Sequence, residues 1–338
     1  MGYAPAMAQF SVQRTACWVV TDGKAGMESQ CRALAAALGL APVIKRIVVR
    51  PPWRWLPPGL WPSPLAALDT GRDGGDALSK PWPDLIISTG RQTVAPVLAL
   101  KRRSGRSRPV RVVQIQNPRV DPGRFDLVVA PRHDRLTGPN VVVTLGALHG
   151  ITPDALRAAA SIWTPRLQHL PRPRVAVLLG GGNRAYALGE REGRAIAASL
   201  AALARATGAG LMVTPSRRTP ASATQAITAA LAGLPAVVWD GSGENPYPGY
   251  LALADAVLVT ADSVNMVSEA AGTGRPVHII DLPGGSARFR RFHRAMRDAG
   301  VTRPFAGTLG DWTYTPPDDT ARVARAVAER LGLAPPAP

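Results

Sequence analysis

Cysteine is almost missing from this 338-residue chain: Cys17 and Cys31 are its only two. Their spacing suits neither a metal site nor a disulfide framework, so a cysteine-stapled or zinc-built scaffold is excluded. Aromatic residues make up 5%, and only four of the 40 basic residues are lysine. No stretch approaches about 18 uninterrupted apolar residues, so no membrane-spanning helix is expected. Residues Met1–Ala16 lack a basic region followed by an apolar run. No signal peptide is expected there, and the expected location is the cytoplasm. The G-x-x-x-x-G-K-[ST] spacing of a Walker loop is also absent.

Hydrophobic residues are plentiful at 46%, and glycine and proline number 33 each. That mix suits an α/β protein rich in tight turns. The length suggests two domains. The net charge of +17 will draw phosphates, nucleic acid or an anionic membrane face. The arginines are dispersed, and no aromatic-basic RNA motif is present, so no specific nucleic-acid partner is expected.

Short, β-branched apolar runs alternate with helical stretches, the pattern of buried parallel sheets. Strands are expected at Cys17–Thr21, Ile44–Val49, Leu85–Ser88, Val112–Ile115, Leu127–Ala130 and Val141–Leu145, with helices at Gln30–Leu38 and Thr93–Arg102. A second series begins with strand Val175–Leu179 and a helix from about Arg184 to Ala206. It continues through strands Leu211–Thr214, Ala236–Trp239, Ala256–Thr260 and Val277–Ile280, and helices Pro220–Leu231, Gly249–Ala254 and Ser263–Gly272. Two such series imply two Rossmann-like, doubly wound domains facing a cleft. We assign residues 1–160 to the first and 175–315 to the second, with a linker at 161–174. Residues 316–338 form a terminal helix and tail that could pack back on the first domain.

Ligands of open α/β sheets bind beyond the carboxyl ends of the strands. In TDGKAG, Asp22 is a base, an acceptor ligand or a turn cap, and Lys24 can contact a phosphate. STGRQ contributes Gly90 and Arg91, and QIQNP offers Gln116 and Asn117 for hydroxyl groups. In APRHD, His133 has Asp134 beside it and is a base or a structural residue; His149 has no such neighbour. In the second series, Gly180, Gly181 and Gly182 of LLGGGNR expose amides that would admit a diphosphate. TPSRR adds Arg217 and Arg218, which suit phosphate oxygens. WDGSGEN is a polar loop that could hold a base or sugar. In TADSVNMVSEAAGTGRP, Asp262 or Ser263 caps a helix, and Glu269 two turns on could accept ribose hydroxyls. The stretch Pro51–Leu65 interrupts the first series with Trp53, Trp55 and Trp61. It reads as a packed insertion or, with its basic residues, as a peripheral contact with an anionic inner membrane.

The run S-E-A-x-x-x-G-x-P-V at Ser268–Val277 resembles the donor-site helix of glycosyltransferases of B type. From about residue 18 to 282, the ordered segments TDGKAG, ISTGR, QIQNP, PRHD, LLGGGNR, TPSRRTP, DGSGENPY and TADSVNMVSEA resemble the Elm-type mitochondrial fission family. The resemblance implies a glycosyltransferase B fold, no required metal, and no cofactor beyond a nucleotide-sugar co-substrate. It implies a donor site of Gly180–Asn183, Ser216, Arg217, Arg218, Asp262, Ser263, Asn265, Met266 and Glu269. Ser263 and its neighbours would meet the diphosphate, and Glu269 the ribose. The acceptor would lie on the first domain near Lys24, Gly90, Arg91, Gln116 and Asn117, with Asp22 or His133 as base. Glycosyl transfer to a lipid-linked or cell-envelope acceptor is the expectation. A non-catalytic membrane-associated scaffold and a sugar-nucleotide epimerase are the rivals.

Overall fold

The computed structural model describes residues 15–71, 74–105 and 107–333. The expectation of no leader at the N-terminus therefore falls mostly outside the described residues, as do the last five residues of the tail. The chain divides into two compact units, residues 1–150 with 318–338, and residues 151–317.

The first unit is built on β1 (Cys17–Thr21), α1 (Ala25–Ala37), β2 (Val43–Arg46), β5 (Leu85–Thr89), α2 (Arg91–Arg103), β6 (Arg111–Ile115), β7 (Leu127–Pro131) and β8 (Val141–Thr144). These six strands form one parallel sheet in the order β2-β1-β5-β6-β7-β8. Successive side chains alternate between its faces. Val19, Ile87, Val113 and Val129 enter one core, and Trp18, Val20, Ile86, Val112 and Val128 enter the other. A helix from the far end of the sequence, α9 (Asp319–Leu331), completes the first core with Val323, Ala324, Val327, Ala328 and Leu331.

One expected strand, Ile44–Val49, is two. Ile47 donates to the Thr21 carbonyl (2.8 Å), and the chain then leaves the main sheet. β3 (Val48–Val49) instead pairs antiparallel with β4 (Leu68–Asp69).

The second unit opens with α3 (Pro153–Leu167). Residues 161–174, expected as a linker, are part of this unit: Trp163 of α3 packs edge-on against Tyr250, and Leu170 and Arg174 are buried. Then come β9 (Arg174–Leu179), α4 (Glu190–Thr207), β10 (Gly210–Pro215), α5 (Ala221–Leu231), β11 (Ala236–Val238), α6 (Tyr247–Leu253), β12 (Ala256–Thr260), α7 (Val264–Ala271), β13 (Val277–Ile280), α8 (Ala287–Asp298) and β14 (Thr302–Pro304). The sheet is parallel, ordered β11-β10-β9-β12-β13-β14. Helix α4 starts later than expected. Asn183 Oδ1 accepts from the amides of Ala185 (2.7 Å) and Tyr186 (3.0 Å), turning the chain before it can coil. Among the described residues, no helix is long and apolar enough to cross a membrane.

Candidate active site

Each sheet has a topological switch point, where the strand order reverses and a crevice opens at the carboxyl ends. In the first unit it lies between β1 and β5, flanked by the loops holding Asp22 and Gly90. In the second it lies between β9 and β12, flanked by Gly180–Asn183 and Ala261–Ser263.

At the first switch point Asp22 is nearly enclosed, its side chain 7% exposed. Oδ2 pairs with Lys24 Nζ, while Oδ1 is buried with no hydrogen-bond partner among the described residues. A buried carboxylate oxygen without a donor is costly unless a ligand supplies one. Gly90 (φ +91°) stands opposite; a Cβ there would lie 3.8 Å from Asp22 Oδ2. The Arg91 guanidinium donates to the carbonyls of Leu56 (3.0 Å) and Arg54, tying α2 to the Trp-rich insertion. Gln116 holds a left-handed backbone (φ +71°), a strained conformation for a side chain of its kind. Asn117 Oδ1 accepts from the Arg119 amide (2.8 Å), so this end of its side chain shapes the loop. His133 is buried, 2% exposed, with Nε2 3.7 Å from Asp134 Oδ1.

The three tryptophans of the insertion, expected either packed or facing a membrane, differ in burial. Trp61 is buried in the core, and its Nε1 donates to the Leu56 carbonyl (3.3 Å). Trp53 is half-buried against the same cluster. Trp55 alone of the three is exposed, at 64%, with Leu60 at 65% nearby in sequence and Arg54 over its ring.

The second switch point is tightly locked. Gly180 N donates to Thr260 Oγ1 (2.8 Å), and Gly181 N to Asp262 Oδ2 (2.9 Å). Thr260 Oγ1 in turn donates to Asp262 Oδ1 (2.7 Å), and Thr219 Oγ1 donates to the Gly180 carbonyl. Two of the three amides expected to cradle a diphosphate are thus satisfied internally. The Asp262 carboxylate, 0% exposed, faces the glycine loop rather than solvent. These glycines serve close approach. A Cβ at Gly180 would lie 2.3 Å from Asp262 Oδ1, and one at Gly181 2.2 Å from the Arg218 carbonyl oxygen. Gly182 is exposed and lines an open depression of about 660 Å³ with Asn183, Arg184, Tyr186 and Leu188. Both ends of the Asn183 side chain serve the loop, its Nδ2 donating to the Asp262 carbonyl (3.2 Å).

Polar groups able to meet an anion converge at the start of α7. Ser263 caps the helix, its Oγ accepting from the Met266 amide (3.3 Å). The Arg218 guanidinium reaches Asp262 Oδ2 at 3.5 Å, which brings a cation to the positive end of the helix. Ser216 Oγ accepts from the Arg218 amide (3.2 Å) and steadies that loop; Arg217 is exposed. Asn265 and Met266 are half-buried in the first turn. Glu269 lies about 9 Å along the axis from Ser263, at 1.5 Å per residue. It accepts a hydrogen bond from the phenol of Tyr247. Burial pushes its carboxyl above the ordinary value of 4.5, while the Tyr247 bond works in the other direction.

Residue-by-residue reading missed Thr219, Thr260 and Tyr247 as site residues. Thr219 and Tyr247 lie inside the segments TPSRRTP and DGSGENPY; Thr260 reads as the last residue of a strand. Among the described residues, no group of three or more His, Cys, Asp or Glu side chains is placed to hold a metal ion.

A UDP-GlcNAc 2-epimerase from Methanocaldococcus jannaschii shares the fold with a TM-score of 0.56, at 10% identity over 93% of this chain and 99% of that one. The same enzyme in complex with UDP-GlcNAc and UDP gives 0.54 at 11% identity, with the same coverage. MurG of Acinetobacter baumannii gives 0.50 at 14% identity, over 94% of this chain and 92% of that one. At such identities the likeness concerns the fold alone, which is of glycosyltransferase B type. In sequence, the mitochondrial fission protein ELM1 of Arabidopsis thaliana is 35% identical over 279 residues, 75% of this chain. The match spans 65% of the plant protein's length. The family model described as Mitochondrial fission ELM1 matches residues 25–331, and the chain belongs to that family.

Proposed function

We propose that the protein is a glycosyltransferase that moves a sugar from a nucleotide-sugar to a lipid-linked or cell-envelope hydroxyl, with no metal or further cofactor. The observation that carries this reading is the convergence at α7. A guanidinium and a capped helix N-terminus meet there, and a half-buried carboxylate follows on the same helix. The first two suit a diphosphate and the third a ribose. The epimerase fold neighbour in complex with UDP-GlcNAc and UDP supports a nucleotide-sugar as the ligand.

In this reading the second unit holds the donor. Arg218, Arg217 and the α7 amides stabilise the charge that develops on the leaving diphosphate. The first unit holds the acceptor, and Asp22 Oδ1 takes the proton from its hydroxyl as the new glycosidic bond forms. The exposed Trp55 and Leu60, with Arg54, provide a peripheral contact with an anionic membrane from which a lipid-linked acceptor is drawn.

The test is a thermal-shift screen with UDP-, GDP-, ADP-, CMP- and dTDP-linked sugars. A ligand at about 100 times its Kd stabilises the native state by about 2.7 kcal/mol. A shift with one nucleotide that is lost in Glu269→Ala supports the donor site. Isomerisation of that donor without an acceptor would identify an epimerase instead. No shift with any donor would leave the scaffold.

A further inference from the structure

One helix braces both loops of the second switch point. Ser286 caps α8, its Oγ accepting from the Phe289 amide (3.3 Å). Phe289 and His293 follow one turn apart, their rings stacked with centroids 6.4 Å apart. Phe289 meets the Tyr186 ring edge-on at 5.0 Å. Tyr186 closes the glycine loop, its carbonyl accepting from the Asn183 amide (2.9 Å). His293 serves the other loop, with Nε2 2.8 Å from the Ala261 carbonyl oxygen. A carbonyl only accepts, so Nε2 carries the proton. Nδ1 is then the bare nitrogen, buried with no hydrogen-bond partner among the described residues. Burial lowers the ring below its ordinary 6.5, helped by Arg297 and opposed by the Ala261 bond, Asp281 and Asp262. At pH 7 the ring is neutral, and its one donor is aimed at Ala261.

The rest of the loop hangs from that residue. Ala261 is 1% exposed, and its amide donates to the Ile280 carbonyl (3.0 Å). The next residue, Asp262, takes the Gly181 amide and the Thr260 hydroxyl. Ser263 then caps α7. We propose that His293 is a positioning residue for nucleotide binding: its Nε2–H fixes the Ala261 carbonyl and so holds Asp262 and the first turn of α7 where they meet the diphosphate. This rests on the donor-site reading above. His293 acts through Ala261 and does not touch the nucleotide.

Two substitutions separate the hydrogen bond from the ring. His293→Gln keeps an N–H donor and removes the ring. His293→Phe keeps a ring beside Phe289 and Phe292 and removes the donor. Hydrogen exchange of the full chain, followed on a peptide spanning residues 260–266, reads the loop without any ligand. In His293→Phe those amides should exchange about fivefold to hundredfold faster, the fold-change for a buried carbonyl left unmet. In His293→Gln they should stay near wild type. Isothermal titration with UDP, GDP, ADP and CDP then identifies a nucleotide that binds the wild type. Its affinity should fall about tenfold in His293→Phe and recover in His293→Gln. The opposite order, or equal losses in both variants, would show that the ring only packs and would overturn the proposal. Nitrogen-15 shifts of the wild-type imidazole decide even if a variant does not fold: the Nε2–H tautomer is expected at neutral pH, and the Nδ1–H tautomer would overturn the proposal. Failure of all four nucleotides to bind would overturn the donor site itself, while the exchange data would still decide whether His293 holds the loop.

Discussion

The three consecutive glycines offer a graded test of why they are there. If the run serves close packing, its members differ in what a methyl group would meet. At Gly181 the Cβ would lie 2.2 Å from the Arg218 carbonyl oxygen and 2.4 Å from its carbon, both backbone atoms. Non-bonded heavy atoms settle at about 3.5–4.0 Å, so one backbone segment must retreat by about 1 Å or more. At Gly180 the obstacle is the Asp262 carboxylate at 2.3 Å, itself bonded to Thr260 and the Gly181 amide. At Gly182 the nearest atom is 3.6 Å away, an ordinary contact. Overpacking of this kind costs about 1–3 kcal/mol. For a unit of this size, each kcal/mol moves Tm by about 2–4 °C. Calorimetry of the full chain should therefore show Gly181→Ala lowering the transition of the second unit by about 2–12 °C, with Gly180→Ala close behind. Gly182→Ala should stay within about 0.5 kcal/mol of wild type. Equal losses at all three positions, or none at Gly181, would mean that the loop is held by something other than these close approaches.

Glu28, its side chain 11% exposed, accepts from Arg46 (2.8 and 2.9 Å) and Arg32 (2.9 Å), and the Arg46 bond holds its carboxyl below the ordinary 4.5. Its stabilisation is present above pH 4.5 and is lost as pH falls through the lowered folded value; Glu28→Gln should cost about 1–3 kcal/mol in urea unfolding at pH 7 and remove that acid-side loss. Burial lowers His149, His278 and His293 below their ordinary 6.5. The unfolded chain binds more protons than the folded one just below that pH, so denaturant titrations should show stability already falling as pH drops from 6.5. Trp61→Ala should cost about 3–5 kcal/mol; Trp55→Ala should stay within about 0.5 kcal/mol yet weaken sedimentation with anionic vesicles. Because burial lifts Glu269, nucleotide affinity measured by titration calorimetry should begin to fall on acidification while the pH is still above 4.5, where most carboxylates remain ionised.

Much of the fold was legible because buried parallel strands must be apolar on both faces, and runs such as CWVVT and AVLVT announce themselves. Helix α8 was not. Its sequence ARFRRFHRAMRD is dominated by arginine, and its inward residues Phe292, His293, Ala295 and Met296 are diluted among cations. Strand β14 is three residues long and ends in proline, too little for any pattern. Segments of the candidate site could be located but not the direction of their groups. The glycine run reads as an open anion cradle, because a sequence shows neither Thr260 nor Asp262 turning inward to take two of its amides. Arg91 reads as a ligand for the same reason; its carbonyl partners at Arg54 and Leu56 are more than 30 residues away in sequence.

Helix α9 sets a timetable for synthesis. The first unit's sheet is complete once residue 144 has been made, but one of its two cores includes five side chains of α9. Asp319 completes the attachment, accepting from the amides of Leu145 (2.7 Å) and Gly146 (3.2 Å). On the ribosome, the faces of α1 and β8 that α9 packs against stay uncovered while the whole second unit is translated. The unit begun first is finished last, and a nascent chain halted before residue 319 carries a sticky half-built sheet that a chaperone has reason to hold.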